Sequence, residues 1–146
     1  MKTSTRTRSP LHALIVAGLT CITLLACAKP VEINPDVAEQ PVPLFHMALN
    51  GGNVAEIYST AAPELKQHES QQDFVARLEK VRAKMGPVQG TERQSWKAVE
   101  DSGSVLVTLT YKSRYAAGEA EEEFLIRMKD GWNSLAGYKI KARQLD

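Results

Sequence analysis

The apolar residues of this chain change period partway along it. Before residue 88 they recur at helical spacing, and beyond about residue 100 they alternate. The clearest helical stripe is Phe74, Leu78, Val81 and Met85, which step by four, three and four. Ser70 precedes it with Asp73 three residues on, a capping-box-like start, and Gly86-Pro87 follow as a left-handed stop and a block. Asp73 near the start and Lys80, Arg82 and Lys84 near the end suit the helix dipole, and those cations read as a solvated face. Upstream, Leu44, Phe45, Ala48 and Leu49 keep helical spacing up to Gly51-Gly52. Asn53 then caps a second turn through Val54, Ile57 and Tyr58, which Pro63 ends.

In the second half, Val105, Val107, Leu109 and Tyr111 alternate with Leu106, Thr108, Thr110 and Lys112, the pattern of a strand with one buried face. Asp101-Ser102-Gly103 is the turn before it. Ala120, Glu122, Phe124, Ile126 and Met128 form the next alternating set, with Arg127 and Lys129 facing outward. Asp130-Gly131 is a strong hairpin signal leading into residues 132–142, and Ala116, Ala117 and Gly118 mark the loop between the other pair. Residues 88–99, containing Trp96, form a weaker strand. Helices followed by an antiparallel meander define an α+β class, with N-terminal helices packed on one face of a curved antiparallel sheet of about four strands.

The N-terminus has a different character. Lys2, Arg6 and Arg8 form a basic, acid-free head before the apolar run 11–26, which Lys29, Pro30 and Glu32 end sooner than a membrane span requires. The run closes on Leu24-Leu25-Ala26-Cys27, which resembles a bacterial lipoprotein processing site. That resemblance implies a signal peptide over residues 1–26, cleavage before Cys27, lipid on its thiol and anchorage to a membrane. Each buried methylene contributes about 0.8 kcal/mol, and a multiply acylated cysteine exceeds the two-chain requirement for stable anchoring. Ala28, where Asp would favour the inner membrane, points to the periplasmic face of the outer membrane in the bacterial cell envelope. Residues 27–43 hold Pro30, Pro35, Pro41 and Pro43 and read as the lipidated cysteine and a Pro-rich tether, which reaches about 45 Å at about 3.1 Å per residue. Part of that stretch serves equally as an extended lead-in to the first helix. Residues 44–146 are the size of a single small domain with one core.

Loss of residues 1–26 leaves 15 basic against 17 acidic residues, a charge of about −2, with no basic footprint for nucleic acid. Cys21 leaves with the signal, and lipidation of Cys27 leaves no free thiol, so disulfides and cysteine-zinc sites are excluded.

The segments LNGGNVAEIYSTAAPELK, DFVARLEKVRAKMGPVQG and DGWNSLAGYKI occur in the order found in a family of bacterial secreted proteins catalogued as a domain of unknown function. The chain resembles that family over residues 44–142. The resemblance implies the nuclear transport factor 2-like, cystatin-like fold, a cone whose sheet wraps a helix and leaves a chamber. Phe74, where the family commonly has Trp, and Thr91, where a basic residue is frequent, depart from its pattern, although Arg93 is close by.

Relatives of that fold include enzymes with Asp, His or Tyr in the chamber, but fold alone confers no activity. His46, beside Phe45 and Met47, reads as a structural or half-exposed histidine rather than a base, and His68, between Gln67 and Glu69, as solvated. Alternation splits Glu119, Glu121, Glu122 and Glu123 over two sheet faces, against a cation site. No catalytic residue, metal ligand set or cofactor motif can be named. Tyr58, Trp96, Tyr111, Trp132 and Tyr138, with Tyr115, are the candidate chamber lining, each equally a core aromatic. Two functions follow as expectations. One is a lipid-anchored binding or interaction module that meets an envelope protein or a small apolar ligand. The other is a small hydrolase or isomerase of the nuclear transport factor 2-like type.

Overall fold

The computed structural model describes residues 33–146. The expected signal peptide, Cys27 and the first residues of the expected tether lie outside the described residues. Five helices precede four strands among the described residues: α1 (Pro35–Ala38), α2 (Pro41–Gly51), α3 (Val54–Ser59), α4 (Pro63–His68), α5 (Gln71–Met85), β1 (Val88–Asp101), β2 (Ser104–Tyr115), β3 (Gly118–Lys129) and β4 (Trp132–Lys141). The strands form one antiparallel sheet in the order β1-β2-β3-β4, which is not closed. The class is α+β.

The tether expectation fails from residue 33 onward. Pro35, Pro41 and Pro63 each stand in the first turn of a helix. There the missing N–H has no intrahelical acceptor to lose and the fixed φ suits the helix, so these prolines start helices where an extended segment and a helix end were expected. Asn34 caps α1 by accepting from the Asp36 N–H at 2.9 Å, and Ala38 and Val42 enter the core. The folded unit therefore begins about ten residues before residue 44.

Helix α5 follows its sequence pattern. The Ser70 hydroxyl accepts from the Asp73 N–H, and Phe74, Leu78, Val81 and Met85 are all buried. Each contributes about 1.5–3 kcal/mol by leaving water. Gly86 has positive φ (71°) but extended ψ (−165°), a conformation essentially restricted to glycine, where a left-handed cap was expected. The reason is the neighbouring turn: the Ala117 N–H donates to Met85 O and the Ala116 N–H to Pro87 O, so the β2–β3 loop caps the helix.

In α2 the buried stripe is Val42, Phe45, His46 and Leu49. The expected stripe through Leu44 and Ala48 is out of phase, and Leu44 is largely exposed. In the sheet, Val107, Leu109 and Tyr111 of β2 and Ala120, Glu122, Phe124 and Ile126 of β3 face the helices, as the alternation requires. Ser102 and Gly103, then Asp130 and Gly131, all have positive φ, as the two central residues of a type I′ hairpin turn must. Phe124 is the aromatic centre of the core, with the rings of Phe45, His46 and Tyr111 packed edge-on at 5.1, 5.5 and 5.7 Å.

Candidate functional site

Pairing of β2 with β3 places Ser113 opposite Ala120 and Tyr111 opposite Glu122, and β4 brings Tyr138 opposite Phe124. Helix α2 lowers His46 onto the same spot. The result is a polar cluster centred on the Glu122 carboxylate, which is 0% exposed. Its Oε1 accepts from the hydroxyls of Tyr115 and Tyr138, each at 2.6 Å. Its Oε2 accepts from His46 Nε2 at 2.9 Å and from the Ser113 hydroxyl. A carboxylate offers about four lone-pair directions, and all four are taken here.

That saturation decides the electrostatics. Burial alone would push the Glu122 carboxyl up, but hydrogen bonds and charge from His46, with donation from Ser113 and Tyr115, hold it below its usual range. Burial and the Glu122 charge push the Tyr115 and Tyr138 hydroxyls well above theirs, so both remain donors. Breaking such a buried set by removing one partner leaves an uncompensated charge and costs about 3–5 kcal/mol.

Ser113, His46 and Glu122 are the residue types of a hydrolytic triad, but their connectivity differs. In a triad the serine gives its proton to the histidine, and the acid orients that histidine. Here the acid is the hub, and it accepts from both the serine and the histidine. The hydroxyl donates to the carboxylate rather than to the histidine, and the carboxylate has no free lone pair with which to take a proton from a substrate. Among the described residues no group of three or more His, Cys, Asp or Glu side chains is placed to hold a metal ion.

Two further polar sets tie helices to strands. Arg93 on β1 pairs with Asp36 at 2.9 Å and with Glu39, and Glu39 also accepts from the Tyr111 hydroxyl at 2.8 Å. Arg127 on β3 meets Glu64 of α4, Asp101 at 2.9 Å and the Ser104 hydroxyl. Both sets are partly open to solvent, where an ion pair contributes about 0–1 kcal/mol. The exposed Lys112–Glu119 and Lys139–Glu123 pairs account for two members of the Glu119–Glu123 run, and Glu121 lies outward near Lys141. Only Glu122 turns inward.

The five expected chamber residues do not come together. Tyr111 and Tyr138 are buried, with their hydroxyls committed to Glu39 and Glu122. Tyr58 is half-buried and donates to the Glu69 carbonyl. Trp96 is 42% exposed on the edge strand, and Trp132 is 78% exposed beside a hairpin turn. These positions show no shared chamber. His46, expected as a structural or half-exposed histidine, is buried, and sequence reasoning missed Glu122, Ser113 and Tyr115 as its companions. The available signal was Glu122 itself, a carboxylate in the apolar register of a strand.

Two surface hollows are present in the described region. One, of about 580 Å³, lies between α5 and β4 and is lined by Arg77, Lys80, Val81, Tyr138, Ile140 and Leu145, among others. The other, of about 420 Å³, lies at the hairpin end of the sheet between residues 100–105 and 128–133, with Val37 and Trp132 on its walls.

The fold and the site thus define an α+β domain built around a sealed, saturated carboxylate. Residues 45–138 match the family described as protein of unknown function (DUF4019), and the chain belongs to that family. The matched span contains all five members of the Glu122 cluster. No curated protein matches the chain.

Proposed function

We propose that this is a lipid-anchored protein of the bacterial cell envelope, on the periplasmic face of the outer membrane, whose folded domain is a binding or interaction module. The anchor rests on the basic head, the apolar run and the Leu24-Leu25-Ala26-Cys27 box. The choice of a binding module over a hydrolase or isomerase rests on one observation: the Glu122 carboxylate on which the titratable groups converge is saturated by them and wholly buried. A reacting group must touch its substrate within hydrogen-bonding distance, and Glu122 and Ser113 are 0% exposed. Recognition then belongs to the surface, and the partner is another envelope protein or a small apolar ligand.

The nuclear transport factor 2-like enzyme reading keeps one point in its favour, the meeting of His46, Ser113 and Glu122. For that cluster to act, α2 must lift from the sheet, breaking the packing of Phe45 on Phe124 and Tyr138.

Labelling bacteria that express the full chain with a radiolabelled fatty acid tests the anchor. Wild type takes up label and sediments with membranes, whereas Cys27→Ser is unlabelled and largely released. Equal label in both would overturn the reading. Native mass spectrometry of the purified protein tests the module: a stoichiometric metal or tightly held cofactor would reopen the enzyme reading.

A further inference from the structure

We propose that the hairpin end of the domain rests on the bilayer, with the Trp132 indole at headgroup level; this inference rests on lipidation of Cys27. The first observation is the shortness of the connection. Helix α1 is fixed to the domain by burial of Ala38, by Arg93 on Asp36 and Glu39, and by the Asn133 amide donating to the Val37 carbonyl at 2.7 Å. The connection from Cys27 to the described domain therefore ends at Ile33 rather than at Leu44. Six residues span at most about 20 Å, less than half the reach of the fifteen-residue tether that the prolines suggest.

The second observation is where that connection enters. Val37 lies one helical turn from Asn34, about 4.5 Å along the axis. It also lines the hollow between the two hairpins, together with Met128 and Trp132. The strands run about 40 Å from these turns to the Ala116–Ala117 loop at the opposite end. No orientation of the domain moves Val37 more than about one tether length from the lipid. The hairpin end is thus kept within about one tether length of the lipid, whereas the opposite end can lie a further strand length away.

The third observation is chemical. Trp132 is the most exposed large apolar side chain among the described residues, at 78%, and Val37 beside it is 41% exposed. Tryptophan partitions to the headgroup region because its ring is apolar and its N–H needs a polar partner. Glu100 and Asp130 border the hollow with Lys129, so attraction to anionic lipid does not drive the contact. Apolar burial does, at the high local concentration that a short tether imposes. Salt should leave the contact unchanged.

Trp96 and Trp132 are the chain's two tryptophans. Trp96 pairs with Leu109, five residues up the strand from the turn, about 17 Å from it. The full lipoprotein carrying Trp96→Phe or Trp132→Phe is reconstituted into phosphatidylethanolamine–phosphatidylglycerol vesicles, with or without acyl chains brominated near the headgroup. Mass spectrometry of the Cys27 peptide first reads the lipid. The proposal predicts that Trp96→Phe protein, whose emission comes from Trp132, is quenched at least twofold by brominated lipid. Trp132→Phe protein should keep its emission. Lipidated Cys27 with unquenched Trp132 would overturn membrane contact and leave the anchor standing, and equal quenching of both tryptophans would overturn the hairpin-end orientation while leaving the anchor standing. An unmodified Cys27 would overturn the anchor, and this proposal with it.

Discussion

Glu122 and Trp132 lie on adjacent strands yet meet opposite surroundings. The carboxylate, the side chain that water would hold most strongly, is wholly inside, and the indole, among the most apolar, is mostly outside. The buried carboxylate runs against burial statistics and so has a particular cause, whereas a single exposed indole does not by itself require one. Glu122 tolerates the interior because four donors replace its water. Trp132 has no such internal partners, and the membrane contact proposed above would account for its exposure. In this domain the buried polar group marks architecture, and the exposed indole is the feature on which the proposed membrane contact rests.

The largest expected effect comes from breaking the inner half of this contrast. Glu122→Gln puts an amide donor among four donors and should lower stability by about 3 kcal/mol, read as the chemical unfolding midpoint. The pH dependence sharpens the same point. The folded carboxyl titrates below its unfolded value, so its stabilisation is complete above about pH 4.3 and is lost as pH falls through the lower, folded pKa. Acid unfolding of wild type should therefore steepen below that pH, whereas Glu122→Gln should show a shallower dependence. Parallel curves would mean that Glu122 is protonated in the folded protein.

Gly86→Val should cost 1 kcal/mol or more by chemical denaturation, on the order of a strained positive-φ position. A Cβ there lies 3.0 Å from that of Ala116, and φ is 71°. An unchanged midpoint would show that the β2–β3 loop yields. The outer half of the contrast predicts the smallest effect: Trp132→Ala should change the melting behaviour of the domain by less than about 0.5 kcal/mol, since surface substitutions usually fall in that range. A large loss would mean that Trp132 is packed after all.

The elements that were legible in the sequence are those whose cause is local. The stripe of α5, its Ser70 cap, the alternation of β2 and β3 and the Asp130-Gly131 turn all depend on residues a few positions apart. The α2 stripe was drawn through Leu44 and Ala48 rather than Val42 and His46, because the partner that buries His46 lies 76 residues away. The same distance hid the cluster: alternation placed Glu122 inward, but nothing local says that His46, Ser113, Tyr115 and Tyr138 will meet it there. Trp96 pairs with inward-facing Leu109 but sits on an edge strand, whereas the register shift at Leu125–Ile126 turns Trp132 to the outward face, where it pairs with Lys129. The prolines misled because position in a helix, not presence, decides whether proline breaks it.

The central claim is that the Glu122 cluster is closed in the native protein, and thiol labelling at its heart tests it most directly. The fragment 33–146 has no cysteine, so Ser113→Cys supplies a single probe inside the cluster and Ser95→Cys an exposed control on β1. With a closed cluster, labelling of the Ser113→Cys fragment should be at least about a thousandfold slower than that of the control, and it should accelerate with denaturant along the unfolding transition. Native-state labelling within a few-fold of the control would show an open chamber at Glu122 and contradict the account.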